Sequence, residues 1–151
     1  MTDLVPASAV VASARELIGV PFKHQGRSEH GIDCVGLVLL ATKRAGCPEI
    51  VIPGVTHRPN YGRGVQPNVI DLLERHMAGR LLQPVPGVLV VFQFPMESQP
   101  RHHGLMTESG TFVHADQTGP KPMRKVRETS FRAPWTERAP TFWKLPGVSY
   151  E

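Results

Sequence analysis

Between Ala7 and Ile18 the apolar residues Val10, Val11, Ala14, Leu17 and Ile18 recur at helical spacing, which predicts a first helix stopped by Gly19 and Pro21. A polar loop from Lys23 to Ile32 follows. The next stretch, roughly Cys34 to Ala45, is so continuously apolar that it reads as a helix buried in the core. Residues 48–66 carry Pro48, Pro53, Pro59, Gly54, Gly62 and Gly64 without a usable period, and read as an irregular excursion of a length that is usually functional or mobile. Asn68 is the expected cap of a third helix whose apolar face is Ile70, Leu72, Leu73 and Met77.

After Pro84 and Pro86 the pattern changes to strands. Val88 to Phe94 is rich in β-branched and aromatic residues, and Gly104 to Met106 and Thr111 to Ala115 form a hairpin around Ser109-Gly110. A short strand near Met123 to Val126 and a last one over Thr141 to Leu145 complete the set. Helices first and strands later is the pattern of an α+β fold, with the N-terminal helices packed on a central antiparallel sheet.

With 151 residues, 40% of them hydrophobic, the chain suffices for one domain over 1–151 with its own core. The net charge of +4 favours polyanions, but acids interleave with bases and no block of like charge stands out, so specific nucleic-acid binding is not expected. No stretch approaches the ~20 apolar residues of a membrane span. The N-terminus lacks a charged region followed by an apolar one, so synthesis in the bacterial cytoplasm without a signal peptide is expected. If Cys34 and Cys47 flank one helix they lie ~20 Å apart, too far for a disulfide, and two free thiols are expected.

Cys34 stands where a turn becomes an apolar helix. There the unpaired N–H groups and the helix dipole favour thiolate, the reactive form. A cysteine hydrolase also needs an imidazole to exchange protons and a third polar group to orient it, and His102, His103 and His114 can supply both. His102 and His103 are adjacent, so on a strand only one of them faces Cys34, and parity alone leaves open which. With a turn at Ser109-Gly110, His102 and His114 are expected on one face only if a bulge or an uneven loop adjusts the register.

The motifs Gly19-Val20-Pro21-Phe22, Asp33-Cys34-Val35-Gly36-Leu37-Val38, His102-His103-Gly104-Leu105-Met106 and Phe112-Val113-His114-Ala115 resemble those of the NlpC-type cell-wall peptidases. That family is papain-like and cleaves peptide bonds in peptidoglycan stem peptides. The resemblance implies Cys34 as nucleophile, His102 as general base and acid, His114 as the orienting group and His103 as a bystander. It places Phe22, His24, Gln25 and Asp33 on the substrate-binding side, with Asp33 also capping the helix. It implies no cofactor and no metal.

Two positions depart from the pattern. Val88 replaces an acid in the strand preceding the histidines, and Phe22 replaces a tyrosine whose hydroxyl assists the oxyanion. Losing one such donor costs on the order of 100-fold in rate unless the Cys34 N–H, His24 or Gln25 compensates. The Lys23-His24-Gln25-Gly26 loop and the Pro-rich middle look most like short peptidases of phage tails and gene transfer agents. The resemblance thus implies a place in a virion tail, with other tail-tip or hub proteins as partners. Two other classes are a tail structural protein of weak or no activity and, lastly, a zinc hydrolase using Cys34 and two histidines.

Overall fold

The computed structural model describes residues 3–52 and 68–151. Strand β1 (Val5–Pro6) leads into helix α1 (Ala7–Glu16), whose Val10, Val11 and Ala14 are buried as their spacing predicts. The helix stops two residues before Ile18, which is 44% exposed and so gains nothing from continuing it. The loop that follows holds a small hairpin, β2 (Arg27–Ser28) and β3 (Gly31–Ile32), which its polar sequence did not signal.

Helix α2 (Cys34–Ala45) starts at the Asp33 cap, whose carboxylate accepts the Gly36 N–H, and ends at Gly46 in the left-handed region. Helix α3 (Val69–His76) is capped by Asn68, as expected. Residues 53–67, which take in most of the irregular excursion, lie outside the described residues. The remaining strands are β4 (Arg80–Leu81), β5 (Leu89–Phe92), β6 (His102–Met106), β7 (Thr111–Asp116), β8 (Lys125–Ser130), β9 (Thr141–Trp143) and β10 (Val148–Ser149).

A six-stranded antiparallel sheet with order β4-β9-β5-β6-β7-β8 forms the centre, and β1 pairs with β10 in parallel. The fold is therefore α+β and papain-like, helices against a central antiparallel sheet. Several strand limits differ from those expected, β6 starting already at His102 and β7 running on to Asp116. The strand expected at Met123 to Val126 runs instead over β8, where all six residues pair with β7. Strand β5 ends at Phe92 because the Gln93 N–H turns to the Arg138 carbonyl, and β9 ends at Trp143 because the Lys144 N–H bonds the Gly79 carbonyl.

Alternation along the strands divides the core in two. Leu89, Val91, Leu105, Val113 and Ala115 pack with α1 and α2 on one face. Val88, Val90, Phe92, Met106 and Phe112 form a second cluster on the other, closed by Phe131 and Trp135. This division decides which histidine meets the cysteine.

Candidate active site

Asp33 builds the first side of the site. Its carboxylate is buried and fully engaged: Oδ1 accepts from the Gly36 N–H at 2.7 Å and from Arg27 at 2.8 Å, and Oδ2 accepts from the Gln25 N–H at 2.9 Å. One side chain thus caps α2 and ties the 23–26 turn beside Cys34. The Asp33 side chain acts as a clamp between α2 and the 23–26 turn. Gly36 follows from the same packing, since a Cβ there would lie 2.2 Å from the Gly26 carbonyl oxygen.

The Cys34 thiol, partly exposed, points at the start of β6. Its Sγ lies 3.7 Å from the Arg101 carbonyl and 3.9 Å from His103 Nδ1, and that same nitrogen lies 3.0 Å from the Arg101 carbonyl. A carbonyl only accepts, so Nδ1–H donates to Arg101 and the ring is oriented with Nδ1 toward the sulfur. His103 is on the helix face because it shares the parity of Leu105, and it is nearly buried at 4% exposure. Burial and the Asp33 carboxylate push the thiol up to about 12, opposed by backbone groups of His103, Val35 and Cys34 itself. Burial lowers His103 to about 4, against the Arg101 carbonyl. Both directions favour a neutral thiol and imidazole at rest. The thiolate expected from the helix N-terminus is outweighed by desolvation and by the neighbouring carboxylate.

His102 and His114 are brought together, as expected, but on the opposite face. The hairpin pairs Gly104 with His114 and Met106 with Phe112, so residues 102, 104, 112 and 114 share a face with no bulge. His102 Nε2 and His114 Nδ1 are 2.8 Å apart, and His114 Nε2 is 2.8 Å from Thr129 Oγ1. Gly104 leaves room for this diagonal contact: a Cβ there would meet the Phe112 ring at 3.2 Å and the His114 Cβ at 3.4 Å. Phe92, Phe94 and Trp135 surround His102, and Phe112 and Trp135 flank His114. Strand parity thus sets His102 on the face away from Cys34, and the ring that the motif makes a bystander is the one beside the sulfur. Zinc ligation by Cys34 with His102 and His114 is likewise not assembled, because the sheet separates them.

Phe22 is half-buried against the helix-face core, and its N–H bonds the Arg124 carbonyl. His24 and Gln25 are exposed in a turn closed by the Gly26 N–H on the Lys23 carbonyl at 2.8 Å. Sequence reasoning missed the Arg101 carbonyl, which no side-chain pattern reveals. It passed over His103, although the alternation of Leu105 and Met106 between the two cores carried the signal. Among the described residues no helix is long and apolar enough to cross a membrane.

The NlpC/P60 family model matches residues 19–139. Among solved structures, the NlpC/p60 domain of the peptidoglycan hydrolase SagA aligns with TM-score 0.55 and 24% identity over 93% of this chain and 98% of that chain. NlpC2 from Trichomonas vaginalis gives TM-score 0.68 and 16% identity over 99% of this chain and 49% of its own, so the present chain spans about half of that protein. The P60 domain of antigen MAP1204 from M. avium subspecies paratuberculosis gives 0.61 and 17% over 95% and 96%. At these identities the structural matches establish the fold. Among curated proteins, none matches the chain by sequence.

Proposed function

The chain belongs to the NlpC/P60 family, and from that premise we propose that it is a cysteine peptidase or amidase cleaving peptide bonds in peptidoglycan stem peptides. The observation that carries this reading is the Cys34 thiol at the N-terminus of α2 with the His103 ring beside it. In the proposed reaction the His103 ring first passes to its Nε2–H tautomer and releases the Arg101 carbonyl, so that the Nδ1 lone pair takes the thiol proton as Sγ attacks the stem-peptide carbonyl, and the Cys34 backbone N–H helps to hold the oxyanion. His103 then gives that proton to the departing amine. In the second half it deprotonates water, which releases the acyl group and restores the thiol.

A second assignment of the base is favoured by one observation. His102 and His114 have the motif spacing and make the imidazole pair at 2.8 Å that it implies. On that assignment the strand start must turn so that His102 reaches Cys34. A catalytically weak tail protein is the further alternative, supported by Phe22 in place of tyrosine and by the neutral resting pair.

For the setting we infer a phage or gene-transfer-agent tail tip, where the enzyme opens the wall during DNA delivery beside other hub proteins. The Lys23-His24-Gln25-Gly26 loop supports this by its likeness to short tail-encoded peptidases. Purified Gram-negative peptidoglycan digested with wild type and with Cys34→Ala, followed by mass spectrometry, tests the activity. New peptide ends made by wild type alone are expected. Equal release by both refutes the assignment, and release by neither favours the structural alternative. Detection of the chain in purified particles, and its absence from them, decide the setting in the same way.

A further inference from the structure

In the resting site two protons are directed at one oxygen. The Cys34 thiol points at the Arg101 carbonyl at 3.7 Å and His103 Nδ1–H donates to the same oxygen at 3.0 Å, so Nδ1 has no lone pair left for the thiol, although Sγ is 3.9 Å away. The position of that carbonyl therefore decides whether the pair can exchange a proton. We propose that Gln99 is a positioning residue: by tying the β5–β6 loop to helix α3 it keeps the Arg101 carbonyl against Cys34 and His103 as a latch on the site. The inference rests on the peptidase reading and names a control on that same pair. When the latch opens, Nδ1 gives its proton to water as Nε2 takes one from water, and the freed Nδ1 accepts the thiol proton.

The tie is a side-chain contact between segments 30 residues apart. Gln99 Oε1 accepts the Val69 N–H at 3.0 Å, and Val69 is the first residue of α3, where a backbone N–H has no partner within the helix. Asn68 already caps this end by accepting the Asp71 N–H, so the glutamine adds a second acceptor from a distant loop. The helix is lightly seated, since Leu73 alone of its eight residues is buried. A contact at its first N–H is therefore a substantial part of what joins it to the loop.

Between Gln99 and Arg101 stands Pro100, which is buried. Proline fixes its own φ and confines the residue before it to extended backbone, so these three residues move as one piece. The rest of the loop is held by other contacts. The Gln93 N–H bonds the Arg138 carbonyl and the Gln93 side-chain amide bonds the Glu97 carbonyl, each at 2.8 Å, and Glu97 pairs with the Arg101 guanidinium at 3.2 Å. The Arg101 N–H bonds the Phe92 carbonyl at 3.1 Å. Those bonds stay within the loop and the end of the sheet, whereas Gln99 joins them to a helix outside it. Removing the Gln99 bond frees residues 99–101 to shift their carbonyl while α2 and β6 keep Cys34 and His103 where they are.

The test is the rate of Cys34 alkylation by iodoacetamide against pH in wild type, Gln99→Ala, Gln99→Glu and Val69→Pro, with the modified thiol assigned by peptide mass spectrometry because Cys47 is also free. Melting curves, and turnover of a soluble stem peptide by the wild type, accompany it. A hydrogen bond of this kind is worth about tenfold, so Gln99→Ala is expected to react ~10-fold faster at pH 7. Its profile moves to lower pH, because the thiolate then meets an imidazole instead of a carbonyl oxygen. Val69→Pro removes the donor from the other side, and proline is tolerated at the first position of a helix, so this variant is expected to fold as wild type and to react as Gln99→Ala does. Gln99→Glu keeps an acceptor and is expected to stay slow. Wild-type alkylation in Val69→Pro overturns the latch and leaves Gln99 as a helix cap. So does a rate raised equally at every pH, which marks simple exposure of the thiol. A wild type that cleaves no stem peptide removes the peptidase reading instead, and alkylation still decides the latch.

Discussion

At the scale of single residues, the chemistry depends on how two adjacent histidines divide between the faces of one sheet. His103 faces the thiol, and its proton exchange should be worth roughly 10²–10⁴ in kcat. The Cys34 thiol is held high by burial and by Asp33. Alkylation of the free protein by iodoacetamide should therefore be slow at pH 7 and still rising above pH 9. Asp33→Asn keeps an acceptor for the Gly36 N–H but removes the charge, so its alkylation profile should move to lower pH. An unchanged profile would show that burial alone sets the thiol. Legibility in the sequence splits at the same place. Cys34 and the Asp33 cap could be read from a turn meeting an apolar helix, whereas the choice between His102 and His103 needed strand parity against the two cores. The Arg101 carbonyl, being backbone, leaves no mark in the residue types.

At the scale of elements, the close approach of the 23–26 turn to α2 and the diagonal histidine pair each require a glycine. Gly36→Ala puts a methyl group into the Gly26 carbonyl, a backbone atom that cannot step aside without lifting the turn. The expected cost is about 1–3 kcal/mol in chemical denaturation, together with loss of turnover. Wild-type stability in that variant would mean that the turn is loosely held. The hydrophobic pattern revealed α1, α2, α3 and the β6–β7 hairpin because each of these gives apolar side chains to a core, the two strands on both of their faces. They gave no sign of β2 and β3, whose backbone pairing is set by Asp33 and the glycines rather than by apolar side chains.

At the scale of the whole molecule, the histidines on the far face make folding sensitive to acid. Burial lowers His114 to about 4 and His102 well below its ordinary value, with Arg138 adding repulsion to both. In the unfolded chain each takes a proton near pH 6.5, so the unfolded state binds more protons between about pH 6.5 and 4. Stability is accordingly full above pH 6.5 and falls through that window, by about 3 kcal/mol for His114. Denaturation midpoints measured from pH 7.5 to 4 check this, and His114→Gln should flatten the curve. A wild-type midpoint that holds steady to pH 4 would contradict the burial argument. The α+β architecture was legible because helical and strand periods occupy separate halves of the chain, whereas the parallel β1–β10 pair joins two dipeptides too short to carry any period.

The most direct test of the account is the kcat of His103→Ala beside that of His102→Ala on a stem peptide that the wild type cleaves. The account predicts that His103→Ala loses roughly 10²–10⁴ in kcat, while His102→Ala lowers the melting temperature and retains most of its turnover. The reverse, an active His103→Ala and a folded but inactive His102→Ala, would contradict it and make His102 with His114 the catalytic pair.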